Sequence, residues 1–154
     1  MTIQEWLNAP CPESELKPNS DGSVFIPIQT LKGPTKLGNK EYIEDWDLID
    51  YVSDTFQLGK QVFLRASGRL KIEFVGEPTS IKIGGACIPI KGGNTNYEAT
   101  AQSEVIKNAA KKFGNQFGFH LNQDLTSEDL NLSDMPPEHY DDIDSQIKKQ
   151  RNAS

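Results

Sequence analysis

The sequence predicts an α+β fold: an antiparallel β-hairpin or sheet packed against helices, followed by an acidic, largely disordered C-terminal tail. Three stretches carry that expectation. In "QVFLRASGRLKIEFV" Val62, Leu64, Ala66, Leu70, Ile72 and Phe74 take even positions, and Arg65, Ser67, Arg69, Lys71 and Glu73 take odd ones. Such strict alternation is the mark of a strand with one face buried. In "SEVIKNAAKKFGNQFGFHLN" the apolar residues recur at helical spacing. After Asn122 the chain turns polar and acidic, with Pro136 and Pro137 breaking any period.

The elements follow in order. Residues 1–22 hold Pro10, Pro12 and Pro18 among Ser, Asn and Glu, and read as a flexible N-terminal arm with a short helical turn at 3–7. "SVFIPIQTL" reads as extended, with Pro27 marking an edge. "KGPTKLGNK" is an exposed basic loop containing Lys32 and Lys36. In "EYIEDWDLIDYVSDTFQLGK" Leu48, Ile49, Val52 and Phe56 fit helical spacing, acids crowd the start where a helix dipole favours them, and Gly59 fits a stop, so a helix is expected over 46–57. The strand at 61–75 turns at "GEP" into a second strand, "TSIKIGGACIPI", with Ile81, Ile83 and Cys87 on one face. Gly84 and Gly85 there signal a bulge or a close backbone approach. A long helix is expected over 97–119. The folded domain is thus placed at 23–122 and the tail at 123–154.

The net charge is −6, but it is unevenly spread. The tail carries eight acids against three bases, whereas residues 30–122 carry twelve Lys or Arg and ten Asp or Glu. An acidic chain can therefore still present a basic surface to nucleic acid. No apolar run approaches the roughly 18 residues of a membrane span, and no secretory signal is visible, so a cytoplasmic protein without a membrane partner is expected. Cys11 and Cys87 form no C-x-x-C pair and read as free thiols. No P-loop, zinc spacing or G-x-G-x-x-G is present, so no cofactor, metal or catalytic residue is expected. His120 and His139 read as free surface histidines, and Tyr42 and Trp46 as core or subunit packing rather than base-stacking rings.

On the last helix, at 100° per residue, Val105, Ile106, Ala109, Ala110, Phe113 and Phe117 share an arc of about 140° that would pack on the sheet. Lys107, Lys111, Gly114 and Gly118 fall opposite, in a band about 60° wide, with Lys112 farther round. Glycine weakens a helix by about 1 kcal/mol relative to alanine, and close approach of another backbone is one reason to carry two. A solvated face is the plain alternative.

"YIEDWDLIDYVSDTF", the basic hairpin and "IKNAAKKFGNQFG", in that order, resemble the DNA-binding domain of the Rad-fifty-two family of single-strand annealing proteins. The likeness covers residues 28–122 and is anchored on Tyr42-Ile43-Glu44 and on Lys111-Lys112-Phe113-Gly114-Asn115. It implies a β-β-β-α core that assembles into a homo-oligomeric ring or spiral of the phage or mobile-element type, acting in the host cytoplasm. It also implies ATP-independent binding and annealing of single-stranded DNA in recombination and repair, with no enzyme activity. Lys107 and Lys111 match two basic helix positions, Lys32 matches the basic position ahead of the first anchor, and Asn108 replaces a third basic position. Lys36, Arg65, Arg69, Lys71 and Lys112 are further candidate DNA contacts, the hairpin cations as a second wall or else as solvated strand charges with cross-strand partners. The tail is a candidate competitor for the groove, or a docking segment for a host single-strand-binding protein or exonuclease. The alternatives are a non-annealing single-strand binder and a metal-dependent nuclease using Asp45, Asp47 and Asp50, although a helix dipole would explain those acids more simply.

Overall fold

A computed structural model of the chain describes residues 1–92 and 95–122; the expected tail, and His139 with it, lie outside them. The fold is α+β. Helix α1 (Ile3–Asn8) leads through a 3₁₀ turn (Glu13–Glu15) into a small hairpin, β1 (Lys17–Pro18) and β2 (Val24–Phe25). A single-turn helix α2 (Ile28–Leu31) follows. Then come three long strands, β3 (Ile43–Leu58), β4 (Gln61–Phe74) and β5 (Ser80–Ile90), and helix α3 (Tyr97–Lys111). The strands form one antiparallel meander in the order β3-β4-β5, and α3 lies across one face of it.

Strand β4 follows its alternation. Leu64, Ala66, Gly68, Leu70, Ile72 and Phe74 are buried beneath α3, whose Ala101, Val105, Ile106, Ala109 and Ala110 are buried in return. Burial of each Leu, Ile or Val side chain is worth about 1.5–3 kcal/mol, so this interface is a large contributor to stability. Residues 76–78 turn the chain as expected, with Gly76 at φ 73°.

The expected helix at 46–57 is instead strand β3. The residues are rich in β-branched and aromatic types, and a bulge disguises their alternation. Ile49 pairs with Arg69 and Val52 with Ser67, so Asp50 and Tyr51 together face Gly68, and Asp50 takes φ 54°. The extra residue reverses the parity of the strand. Leu48 therefore faces the helix while Ile49, Val52 and Phe56 face away, and a two-faced strand mimics one helical stripe. Gly59, read as a helix stop, is the φ 59° residue of the two-residue turn into β4. Asp45 and Asp47 lie on the strand, so the helix-dipole account of the acids falls with the helix.

Three further expectations change. "SVFIPIQTL" is extended only over Val24–Phe25, and Pro27 then caps α2, where its fixed φ suits a helix start. Residues 1–22 are not a free arm. Thr2 caps α1 by accepting a hydrogen bond from the Glu5 amide at 3.0 Å, and Trp6, Leu7 and Cys11 are buried. Trp6 stacks on Tyr42 at 4.7 Å between ring centroids and meets Phe117 edge-on at 5.6 Å; Tyr42 is a core residue. Helix α3 ends at Lys111, because Gly114 adopts φ 151° and Gly118 φ 99°, conformations no helix contains.

Both α3-side glycine signals resolve into close approaches within the chain. A Cβ on Gly114 would come within 2.5 Å of the Leu7 carbonyl oxygen, so the approaching backbone is that of α1. A Cβ on Gly84 would overlap the Val105 carbonyl oxygen and come within 2.7 Å of the Ala109 nitrogen. Strand β5 pairs with β4 without a bulge, so of the two readings of Gly84 the close approach holds. Ile81, Ile83 and Cys87 do share a face of β5, but it is the exposed one.

Substituting Gly84→Ala should push α3 off the sheet and lower stability by about 1–3 kcal/mol. Gly85→Ala meets only ordinary contact, the Ala66 oxygen at 3.7 Å, and should stay within about 0.5 kcal/mol of the parent. Urea unfolding of the pair checks this; equal stabilities would contradict the close packing.

Candidate nucleic-acid interface

Helix α3 turns Val105, Ile106, Ala109 and Ala110 toward the sheet, so Lys107 and Lys111, one turn apart, are carried on another side. They line a groove of about 290 Å³ between α3 and the β1–β2 hairpin. Phe25 of β2 forms its apolar wall, and the Lys107 ammonium lies 5.2 Å from that ring's centroid. The Lys107 side chain is only 19 % exposed, and its nitrogen is 3.7 Å from a Glu104 carboxylate oxygen, a weak i,i+3 pair. Lys111 is exposed. The groove thus presents two cations and one acid beside an aromatic ring.

Asn122 closes the groove at the end of the described chain. Its side-chain amide donates to the Val24 carbonyl and its oxygen accepts from the Val24 amide, both at 2.8 Å. This two-point clasp ties the segment after α3 to β2. Lys32 caps the C-terminal end of α2 and is exposed; Leu31, its neighbour in the chain, lines the groove. Phe25 and Asn122 escaped the sequence reading. The apolar character of "SVFIPI" was the only signal for the first, and the clasp depends on residues 98 apart.

The other candidate cations lie elsewhere. Lys36 is fully buried, against the expectation of an exposed basic loop. Its ammonium pairs with Glu15 at 2.7 Å and donates to the side-chain oxygen of Gln116, whose nitrogen donates to the Trp6 carbonyl at 3.1 Å. Thr35 donates to the same Glu15 oxygen at 2.9 Å. Lys36 is therefore an internal tie between the N-terminal segment, the 32–40 loop and the turn after α3. Burial pushes the nearby Cys11 thiol up from its ordinary pKa, partly opposed by the Lys36 charge.

Arg65, Arg69 and Lys71 occupy the sheet face turned away from α3. Arg65 makes a two-point pair with Asp54 on β3 at 2.9 and 2.6 Å and sits 5.2 Å from the Phe56 centroid. Its guanidinium holds the Asp54 carboxyl below the usual range, mainly through the hydrogen bond. Arg69 lies 3.8 Å from Asp50, and Lys71 3.7 Å from Glu73. These cations have acidic neighbours on the sheet and do not join Lys107 and Lys111 as a second wall of one groove. Lys112 lines a different recess of about 310 Å³ with Lys82, Phe113 and Ile3. His120 is half-buried rather than a free surface histidine, and its Nδ1 has no hydrogen-bond partner among the described residues. Among the described residues no three His, Cys, Asp or Glu side chains cluster closely enough to hold a metal ion, and no helix is long and apolar enough to cross a membrane.

No family model matches the chain, and no curated protein matches it in sequence.

The Lys36–Glu15 pair has a direct consequence. Glu15→Gln leaves the buried ammonium without its counter-charge, and breaking a buried pair from one side costs about 3–5 kcal/mol. The double variant Glu15→Gln/Lys36→Met should recover much of that loss. Thermal unfolding of both tests it; a Glu15→Gln protein as stable as the parent would show that the pair is not buried as described.

Proposed function

We propose that the protein binds single-stranded nucleic acid through the Lys107/Lys111 groove and anneals complementary DNA strands without ATP, as a homo-oligomer. The observation that carries the binding reading is the placement of two lysines one helical turn apart along a groove with an aromatic wall. Lysine is a point charge that holds phosphates without reading sequence. A strand gripped by its phosphates keeps its bases free to pair, and the Phe25 ring offers a face for stacking. Lys32, exposed at the end of α2 next to the groove-lining Leu31, is the candidate third phosphate contact. Support for the annealing reading comes from the resemblance of residues 28–122 to the Rad-fifty-two family, together with the observed order of three antiparallel strands followed by a helix. Assembly is supported by the sheet itself: β3 and β5 are its two edges, and long open edges invite pairing with another copy. Arg65, Arg69 and Lys71 have no part in this groove, and Lys36 acts in the core.

Changing Lys107 and Lys111 together to Ala keeps helix propensity high. The double variant should bind a fluorescent oligo-dT strand more weakly. The slope of log K against log salt should be shallower by about 1.4, since each phosphate contact on a single strand contributes about 0.7. Annealing of labelled complementary oligonucleotides should slow in parallel. An Arg65→Ala/Lys71→Ala protein serves as the comparison and should keep both properties. Undiminished binding and an unchanged slope in the helix variant would place the contact surface elsewhere. Normal binding by the parent with no acceleration of annealing would leave a single-strand binder that does not anneal.

A further inference from the structure

We propose that the recess beside the end of α3, lined by Lys82 and Lys112, is a docking site for an acidic peptide segment of a partner protein, with one large apolar side chain of that peptide seated between the lysines. The recess is separate from the Lys107/Lys111 groove: Lys111 and Lys112 are adjacent in the chain, yet each lines its own. Its floor is apolar, formed by Ile3 and Leu7 of α1, Phe74 at the end of β4, and Phe113. Its volume of about 310 Å³ lies at the lower end of the range for ligand pockets, room for an anchoring side chain rather than for a whole helix face. Lys82 and Lys112 are exposed, and among the described residues neither has a carboxylate within 4 Å. The sheet cations, by contrast, already face Asp54, Asp50 and Glu73. An apolar floor between two such cations complements an apolar side chain flanked by carboxylates.

Three features favour a peptide over a nucleic acid here. The Phe113 ring meets Phe74 at 5.9 Å between centroids and carries the Lys82 ammonium at 6.0 Å, so it is partly covered as a platform for a base. Glu77 also lines the recess. Its carboxylate repels closely spaced phosphates, whereas a peptide can donate backbone N–H groups to it. Ser80 and Lys82 lie at the start of β5, an edge strand whose open side can pair with an extended peptide backbone. Residues 80–82 suffice for that pairing, which leaves most of the edge to another copy.

The test uses the full chain and a defined probe, a fluorescein-labelled peptide with one phenylalanine flanked on each side by two aspartates. Its fluorescence polarisation should rise on titration with the protein, and the backbone amides of Lys82, Lys112 and Phe113 should shift. Replacing the probe's phenylalanine by alanine should weaken binding at least about ten-fold. The Lys82→Ala/Lys112→Ala protein, altered only at exposed positions, should bind the probe about three- to ten-fold more weakly. The Lys107→Ala/Lys111→Ala protein should bind it as the parent does, so failure of this proposal is distinguishable from failure of the groove reading. No saturable binding up to about 1 mM, or binding indifferent to the Lys82 and Lys112 substitutions, overturns the proposal. Shifts at Lys82 and Lys112 caused by oligo-dT and not by the peptide would make the recess a nucleic-acid contact. Shifts on raising the protein concentration alone would make it a contact between copies. Either of these results also overturns the proposal.

Discussion

The contact between Gly84 and the Val105–Ala109 turn of α3 governs the geometry of the molecule. A helix can lie this close to a strand only where the strand has no side chain. Once the two backbones meet, the rotation of α3 is set: alanines and short aliphatics must face the sheet, and Lys107 and Lys111 are turned toward the β1–β2 hairpin. Asn108 reinforces the alignment by donating to the Gly85 carbonyl at 2.7 Å. The Asn108 side chain is thereby committed to the sheet.

The same packing sorts the cations by their surroundings. On the open sheet face each candidate cation has an acid within 4 Å, and Arg65 is held by two hydrogen bonds. An exposed pair of this kind contributes little to stability, but it gives an incoming phosphate a competitor at each cation. On α3, Glu104 lies 3.7 Å from Lys107, and Lys111 has no carboxylate within 4 Å among the described residues. Lys36 is different again. Its charge stabilises the seam where the N-terminal segment joins the body, with every contact directed inward. Equal formal charges in the sequence thus have three distinct uses, separated by what faces them.

Much of this was legible in the sequence. The alternation in β4 and the α3 face follow from side-chain periodicity, whereas the absence of a Cβ at Gly84 and Gly85 left a bulge and a close approach both open. The hidden parts share a physical cause: each depends on contacts between distant segments. The β3 bulge shifts parity by one residue, so Leu48, Ile49, Val52 and Phe56 imitate a helix until their partners on β4 are known. Trp6 and Leu7 make too short an apolar stretch to announce a docked helix, and only Tyr42 and Phe117 reveal their role. Lys36 sits in a run of Gly, Pro and Lys that composition assigns to solvent; Glu15 and Gln116 hold it inside. Of the candidate site, the Lys107/Lys111 spacing was readable, whereas the Phe25 wall and the Asn122 clasp were not.

The central claim is that a single strand lies along the Lys107/Lys111 groove. Lysine acetylation read by mass spectrometry, with and without a saturating oligo-dT strand, tests it on the unaltered protein. The account predicts protection of Lys107, Lys111 and Lys32, with Lys60, Lys71 and Lys82 labelled equally in both states. Protection confined to Lys71 and Lys82, with Lys107 and Lys111 unchanged, would contradict it.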